Sequence, residues 1–151
     1  MAAIHNNTDI ISCLLNIKGM IIPDKCFRCS KLISLVIPST IIKIGCFAFS
    51  ECYNLKSITI PESVDEIGAY TFHCCYKLQE IVLPRSIKRI GNYAFLSCKS
   101  IKTIIIPQLV EIIGCYAFDR CISLTSVTVL SATVDVGVKA FPPNANVVYS
   151  Q

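Results

Sequence analysis

One period governs this sequence. Pro38, Pro61, Pro84 and Pro107 stand 23 residues apart. Gly45, Gly68, Gly91, Gly114 and Gly137 keep the same spacing, and so do Phe49, Phe72, Phe95, Phe118 and Phe141. Cys29, Cys52, Cys75, Cys98 and Cys121 make a further column at 23. A full unit reads "LKSITIPESVDEIGAYTFHCCYK", Leu55 to Lys77. A fixed period of this length marks a stack of identical structural units. One unit alone cannot bury its apolar columns, whereas a stack of them can.

The columns assign local structure. Leu55-x-x-Ile58-x-Ile60 alternates and stops at Pro61. Alternation predicts a strand with one buried face, and proline, lacking an N–H, ends the ladder. Equivalent strands start at Leu32, Leu78, Ile101 and Leu124. A second inward pair, Val64 and Ile67, recurs as Ile41/Ile44, Ile87/Ile90 and Val110/Ile113. Gly68 then turns the chain, by a positive φ or by close backbone approach. Each unit therefore predicts one solenoid turn. Its strands form one parallel β-sheet, and turns or short helical arcs complete the coil.

The ends depart from the repeat. "IKGMIIP", Ile17 to Pro23, matches "LISLVIP", but the two prolines are 15 apart, which predicts a first coil shortened by eight residues. Before it, Ile10, Ile11, Leu14 and Leu15 fall on one helical face, with Asn7 or Thr8 as N-cap. Residues 1–16 are thus expected to form a short capping helix, and residues 17–151 the repeats, with about six strands. Val147 falls 23 residues after Leu124, so "NVVYSQ" is expected to be a truncated terminal strand. An open terminal strand can pair with a second copy, which makes a homodimer an option.

Composition narrows the function classes. The 151 residues are 53% hydrophobic and 16% charged, against about 25% charged in an ordinary domain. No apolar run reaches the roughly 18 residues of a membrane span, so no transmembrane segment is expected. The N-terminal stretch has no positive charge before its apolar part; no secretory signal is read there, and a cytoplasmic location follows on that ground alone. A net charge of +4 does not demand a nucleic acid. No G-x-x-x-x-G-K phosphate loop occurs.

Ten cysteines raise the question of metal or redox chemistry. "HCCY", His73 to Tyr76, is the densest cluster. Cys75 belongs to the repeating column, which a small buried hydrophobe explains. Cys74 and His73 occupy variable slots. A Cys–His nucleophile is not expected from them, because adjacent strand or turn residues tend to point apart. Cys26-x-x-Cys29 lacks a second pair at zinc-finger spacing. No catalytic residue, metal site or cofactor is expected.

Three surfaces qualify for binding. Along the strands, Ser34/Val36, Ser57/Thr59, Glu80/Val82, Thr103/Ile105 and Ser126/Thr128 should face outward as a small, lightly charged ladder. Lys31, Lys56, Lys77, Lys99 and Lys102 could form a basic rim. Phe47, Tyr70, Tyr93 and Tyr116 predict stacked rings, read chiefly as a partial cover of the coil. Two further columns, Asp65/Lys88/Glu111 and Lys43/Glu66/Arg89, alternate in charge and should help to set register.

The unit L-x-x-I-x-I-P-x-S-V-x-x-I-G-x-x-A-F-x-x-C resembles the BspA-type leucine-rich repeat, from about Ile17 to Tyr149. The resemblance implies a leucine-rich-repeat solenoid and a non-catalytic protein–protein interaction module that binds through its sheet face. It also implies an alternative: a cell-surface adhesin or host-recognition protein that takes a host matrix protein or glycan. Asn6-Asn7-Thr8 fits a glycosylation sequon, in keeping with that alternative.

Overall fold

The computed structural model describes residues 21–150. Every regular element among them is a strand: β1 (Ile21–Ile22), β2 (Ser34–Val36), β3 (Lys43–Ile44), β4 (Ser57–Thr59), β5 (Glu66–Ile67), β6 (Glu80–Val82), β7 (Arg89–Ile90), β8 (Thr103–Ile106), β9 (Ile112–Ile113), β10 (Ser126–Val129), β11 (Asp135–Val136) and β12 (Asn146–Tyr149). The arcs between them are turns rather than helices. The expected capping helix lies outside the described residues.

The even-numbered strands follow the alternation. In β4, Ile58 is buried while Ser57 and Thr59 turn outward. Successive coils pair in parallel register, Ser34 with Ser57 and Ser57 with Glu80. The expectation of one sheet needs correction. The second inward pair also forms strands, joined as a continuous six-stranded sheet in the order β1-β3-β5-β7-β9-β11. Each is two residues long, too short for alternation to appear in the sequence. The first column is itself divided, into β2-β4-β6 and β12-β10-β8.

Both ends are also re-registered. Ile22 pairs with Ile44, so "IIP" opens the second strand column and does not match Leu32–Pro38. The first described coil has no excised arc; it enters the stack partway round. Its register is 22 residues, not 23, and Ser30 therefore heads the cysteine column: its Oγ lies 3.1 Å from Cys52 Sγ, while Cys29 is exposed. At the far end, Val147 pairs with Val127, not with the Leu124 column, because Pro142–Asn144 close a shorter arc.

Three columns hold the stack together. Phe27, Phe49, Phe72, Phe95 and Phe118 are fully buried, and their rings stack at 4.9–5.5 Å between centroids. The cysteines cap the phenylalanine carbonyls. Phe72 C=O accepts the Cys75 N–H of its own coil at 3.2 Å and the Cys98 thiol of the next at 3.1 Å. Phe95 C=O is used the same way by Cys98 and Cys121. A small apolar group with one weak donor fits this slot, since it fills space and satisfies a second lone pair. The glycines allow close approach. A Cβ on Gly91 would sit 2.6 Å from the Ala69 amide nitrogen and 2.7 Å from the Gly68 carbonyl carbon.

Each full coil also turns through two left-handed residues, such as Tyr70 (φ 56°) and Cys74 (φ 59°). That conformation costs about 1–2 kcal/mol per non-glycine residue. Hydrogen bonds to the following coil hold it in place, Tyr70 N–H to Asn92 C=O at 3.0 Å and Cys74 N–H to Leu96 C=O at 2.9 Å.

Candidate binding face

The ten sequence-predicted residues lie together on the outer side of the first strand column, and none is buried. They form two rows. Ser34, Ser57 and Glu80 align in one, and Val36, Thr59 and Val82 in the other. Beyond β6, Thr103 and Ser126 continue the first row, and Ile105 and Thr128 the second.

The face is divided between β6 and β8. Elsewhere along this side, Gln79 N–H donates to Lys56 C=O at 3.0 Å and Thr125 N–H to Lys102 C=O at 3.0 Å. The intervening bond, from Lys102 N–H to Gln79 C=O, is not formed. At this seam a cleft of about 480 Å³ opens, lined by Val82, Leu83, Arg85, Thr103, Ile105 and Leu130 among others. A second, of about 310 Å³, lies over Ser57, Thr59, Glu80 and Val82, and the two share Glu62 and Val82. Six of the ten predicted residues thus line adjoining clefts.

The seam exposes apolar side chains. Val82 is 80% exposed and Ile105 58%. Glu62 and Arg85, in equivalent slots of successive coils, stand at its margin, and neither makes an ion pair among the described residues. Such a surface can take an apolar side chain between two opposite charges. Sequence reasoning missed Glu62, Arg85, Leu130 and the seam itself. The period gives no warning, since Leu78 and Ile101 keep the 23-residue spacing across it.

The other two surfaces are partly engaged. Lys77 Nζ donates to Asn54 Oδ1 at 2.8 Å, and Lys99 Nζ sits 4.6 Å from the Tyr76 ring centroid. Phe47, Tyr70, Tyr93 and Tyr116 stack face to face at 4.7–5.1 Å and are half-buried. Their faces are consumed by one another, so only ring edges remain for a ligand. In the charge ladders, Lys43 and Glu66 pair at 2.8 Å; the Asp65/Lys88/Glu111 column makes no ion pair among the described residues.

One expectation about the cysteines is reversed. His73 and Cys74 do not point apart: Cys74 Sγ lies 3.1 Å from His73 Nε2. The expectation extended strand alternation to turns, but Cys74 is a left-handed turn residue, which swings the two side chains together. The nine cysteines among the described residues are free thiols. Burial pushes the Cys98 thiol well up and the Cys121 thiol to about 12. No three His, Cys, Asp or Glu side chains among the described residues converge on a metal position. No helix among them is long and apolar enough to cross a membrane.

Solved structures share this architecture. A leucine rich cell surface protein from Faecalibacterium prausnitzii is 29% identical, with a TM-score of 0.70 over 75% of this chain and 31% of its own. A leucine-rich repeat protein from Bacteroides ovatus is 30% identical, with a TM-score of 0.66 over 87% and 43%. A leucine-rich repeat protein from T. pallidum is 26% identical, with a TM-score of 0.60 over 83% and 70%. The chain spans less than half the length of the first two. No curated protein matches it. Residues 20–147 match the BspA type leucine rich repeat region in six copies. The chain belongs to the BspA type leucine rich repeat family.

Proposed function

We propose that the chain is a non-catalytic interaction module that docks a partner protein on the outer face of β2-β4-β6 and β8-β10-β12, centred on the seam. One observation carries the reading: Val82 and Ile105, 80% and 58% exposed, flank a cleft of about 480 Å³. Apolar side chains grouped at a cleft mark binding surfaces. Neither residue supports the core. The partner presents an apolar side chain to the seam, with the Arg85 and Glu62 charges fixing its orientation.

Affinity capture with the intact chain tests this. Proteins retained by the wild type should be lost by a Val82→Glu/Ile105→Glu variant and kept by a Lys31→Ala/Lys102→Ala variant. The opposite pattern would move the binding face to the lysine rim.

A second reading, a surface adhesin for a host matrix protein or glycan, draws support from the cell-surface description of the F. prausnitzii relative. Labelling of intact source cells with a membrane-impermeant amine reagent decides it. Modified lysines in this chain favour the adhesin; labelling only after lysis counts against it.

A further inference from the structure

Away from the sheet face, one coil carries a relay that its neighbours lack. Cys74 Sγ lies 3.1 Å from His73 Nε2, and His73 Nδ1 lies 3.3 Å from Ser50 Oγ. Ser50 is fully buried and fixes the ring from the preceding coil. Tyr70 packs edge-on against the imidazole at 5.7 Å. Cys74 is only partly buried. Interaction with this thiol also raises the Tyr76 phenol. In equivalent slots the other coils place Cys29, Glu51, Ser97 and Arg120 against Cys74, and Arg28, Ser50, Leu96 and Asp119 against His73. The thiol–imidazole–hydroxyl set therefore occurs once, and the repeat does not require it.

We propose that Cys74 is a thiol-exchange site for small disulfides, with His73 as its proton acceptor and Ser50 as the residue that positions the ring. The exchange uses the tautomer in which Ser50 Oγ accepts from Nδ1–H and Nε2 is free to accept. Burial lowers the His73 pKa and keeps the ring neutral near pH 7; Glu51 opposes this and Arg28 adds to it. In the exchange, the Cys74 S–H proton passes to Nε2 and the sulfur attacks one sulfur of the disulfide. A mixed disulfide forms, the original S–S bond breaks, and the leaving thiolate takes the proton back from the imidazolium. Cys74 is oxidised and one reagent sulfur is reduced. The product is a covalently modified coil, not a turnover cycle, so the site is independent of the docking face.

Cys115 supplies an internal reference, since it too is a partly buried turn cysteine. The folded chain is treated with dithiodipyridine, and modification is followed at each cysteine by peptide mass spectrometry. Cys74 should react about a hundredfold faster than Cys115, the low end of general-base assistance. A His73→Leu variant, matching the Leu96 slot of the next coil, should bring Cys74 to the Cys115 rate and leave Cys115 unchanged. Ser50→Ala should lose part of the advantage. Should His73→Leu also accelerate Cys115, the coil has loosened and Ser50→Ala decides the matter. A Cys74 rate no faster than that of Cys115, or an advantage that survives both substitutions, overturns the proposal.

Discussion

The junction between the fourth and fifth described coils, those of β6/β7 and β8/β9, differs on its two sides. On one side β7 and β9 pair in register, Arg89 with Ile112 and Ile90 with Ile113. On the other side β6 and β8 form no ladder. Between them the Phe72, Phe95 and Phe118 rings stack without interruption. The interior therefore sets the stacking of the coils, and the first strand column can open without unseating it. That freedom puts the apolar cleft on the strand face and leaves the rest of the coil intact.

The comparison can be broken from the inside. Phe95→Ala should have the largest effect, about 3–5 kcal/mol of lost stability, read from denaturant midpoints. An unchanged midpoint would mean the ring column does not bear on both sides of the junction. Gly91→Val strikes the same second strand column one junction earlier, where a Cβ meets the Gly68–Ala69 backbone at 2.6–2.7 Å. It should cost about 1–3 kcal/mol, as overpacking does, in the same measurement.

Alkaline pH tests the cysteine column. The Cys98 and Cys121 thiols are raised by burial, so the unfolded chain gives up these protons first. Their contribution is intact below the ordinary thiol value of about 8.5 and is lost as pH rises above it, for Cys121 toward its folded value of about 12. Denaturant midpoints should fall across that window, and Cys121→Ser should flatten the fall. Ser30 already takes the equivalent slot in the first described coil, so the serine fits. On the open side, Val82→Glu/Ile105→Glu should change stability by about 0.5 kcal/mol or less per residue while abolishing capture of the partner.

Much of this was legible. The spacing of Pro61, Gly68, Phe72 and Cys75 gives the coil, and Leu55-x-x-Ile58-x-Ile60 gives the first strand column. The second sheet was hidden because Glu66–Ile67 and its equivalents are too short to alternate. Ser30 replaces Cys29 in the column because one residue fewer separates the first described coil from the next, a shift that matched cysteines conceal. The His73–Cys74 contact depends on a left-handed backbone that no residue type there announces, since cysteine is not a residue that favours it. The ten outward residues were readable from alternation, but the seam through them was not. It arises where Lys102 fails to bond Gln79, and both sequence and period continue across it unchanged.

Amide hydrogen exchange on the free protein tests the seam most directly. Lys102 N–H should exchange much faster than Gln79 N–H and Thr125 N–H, whose bonds to Lys56 and Lys102 are formed. Gly114 N–H, bonded to Ile90 C=O at 2.8 Å on the paired side of the same junction, should stay protected. Equal protection of Lys102 and its two counterparts would mean the first column is closed, and the cleft and the docking face built on it would go with the seam.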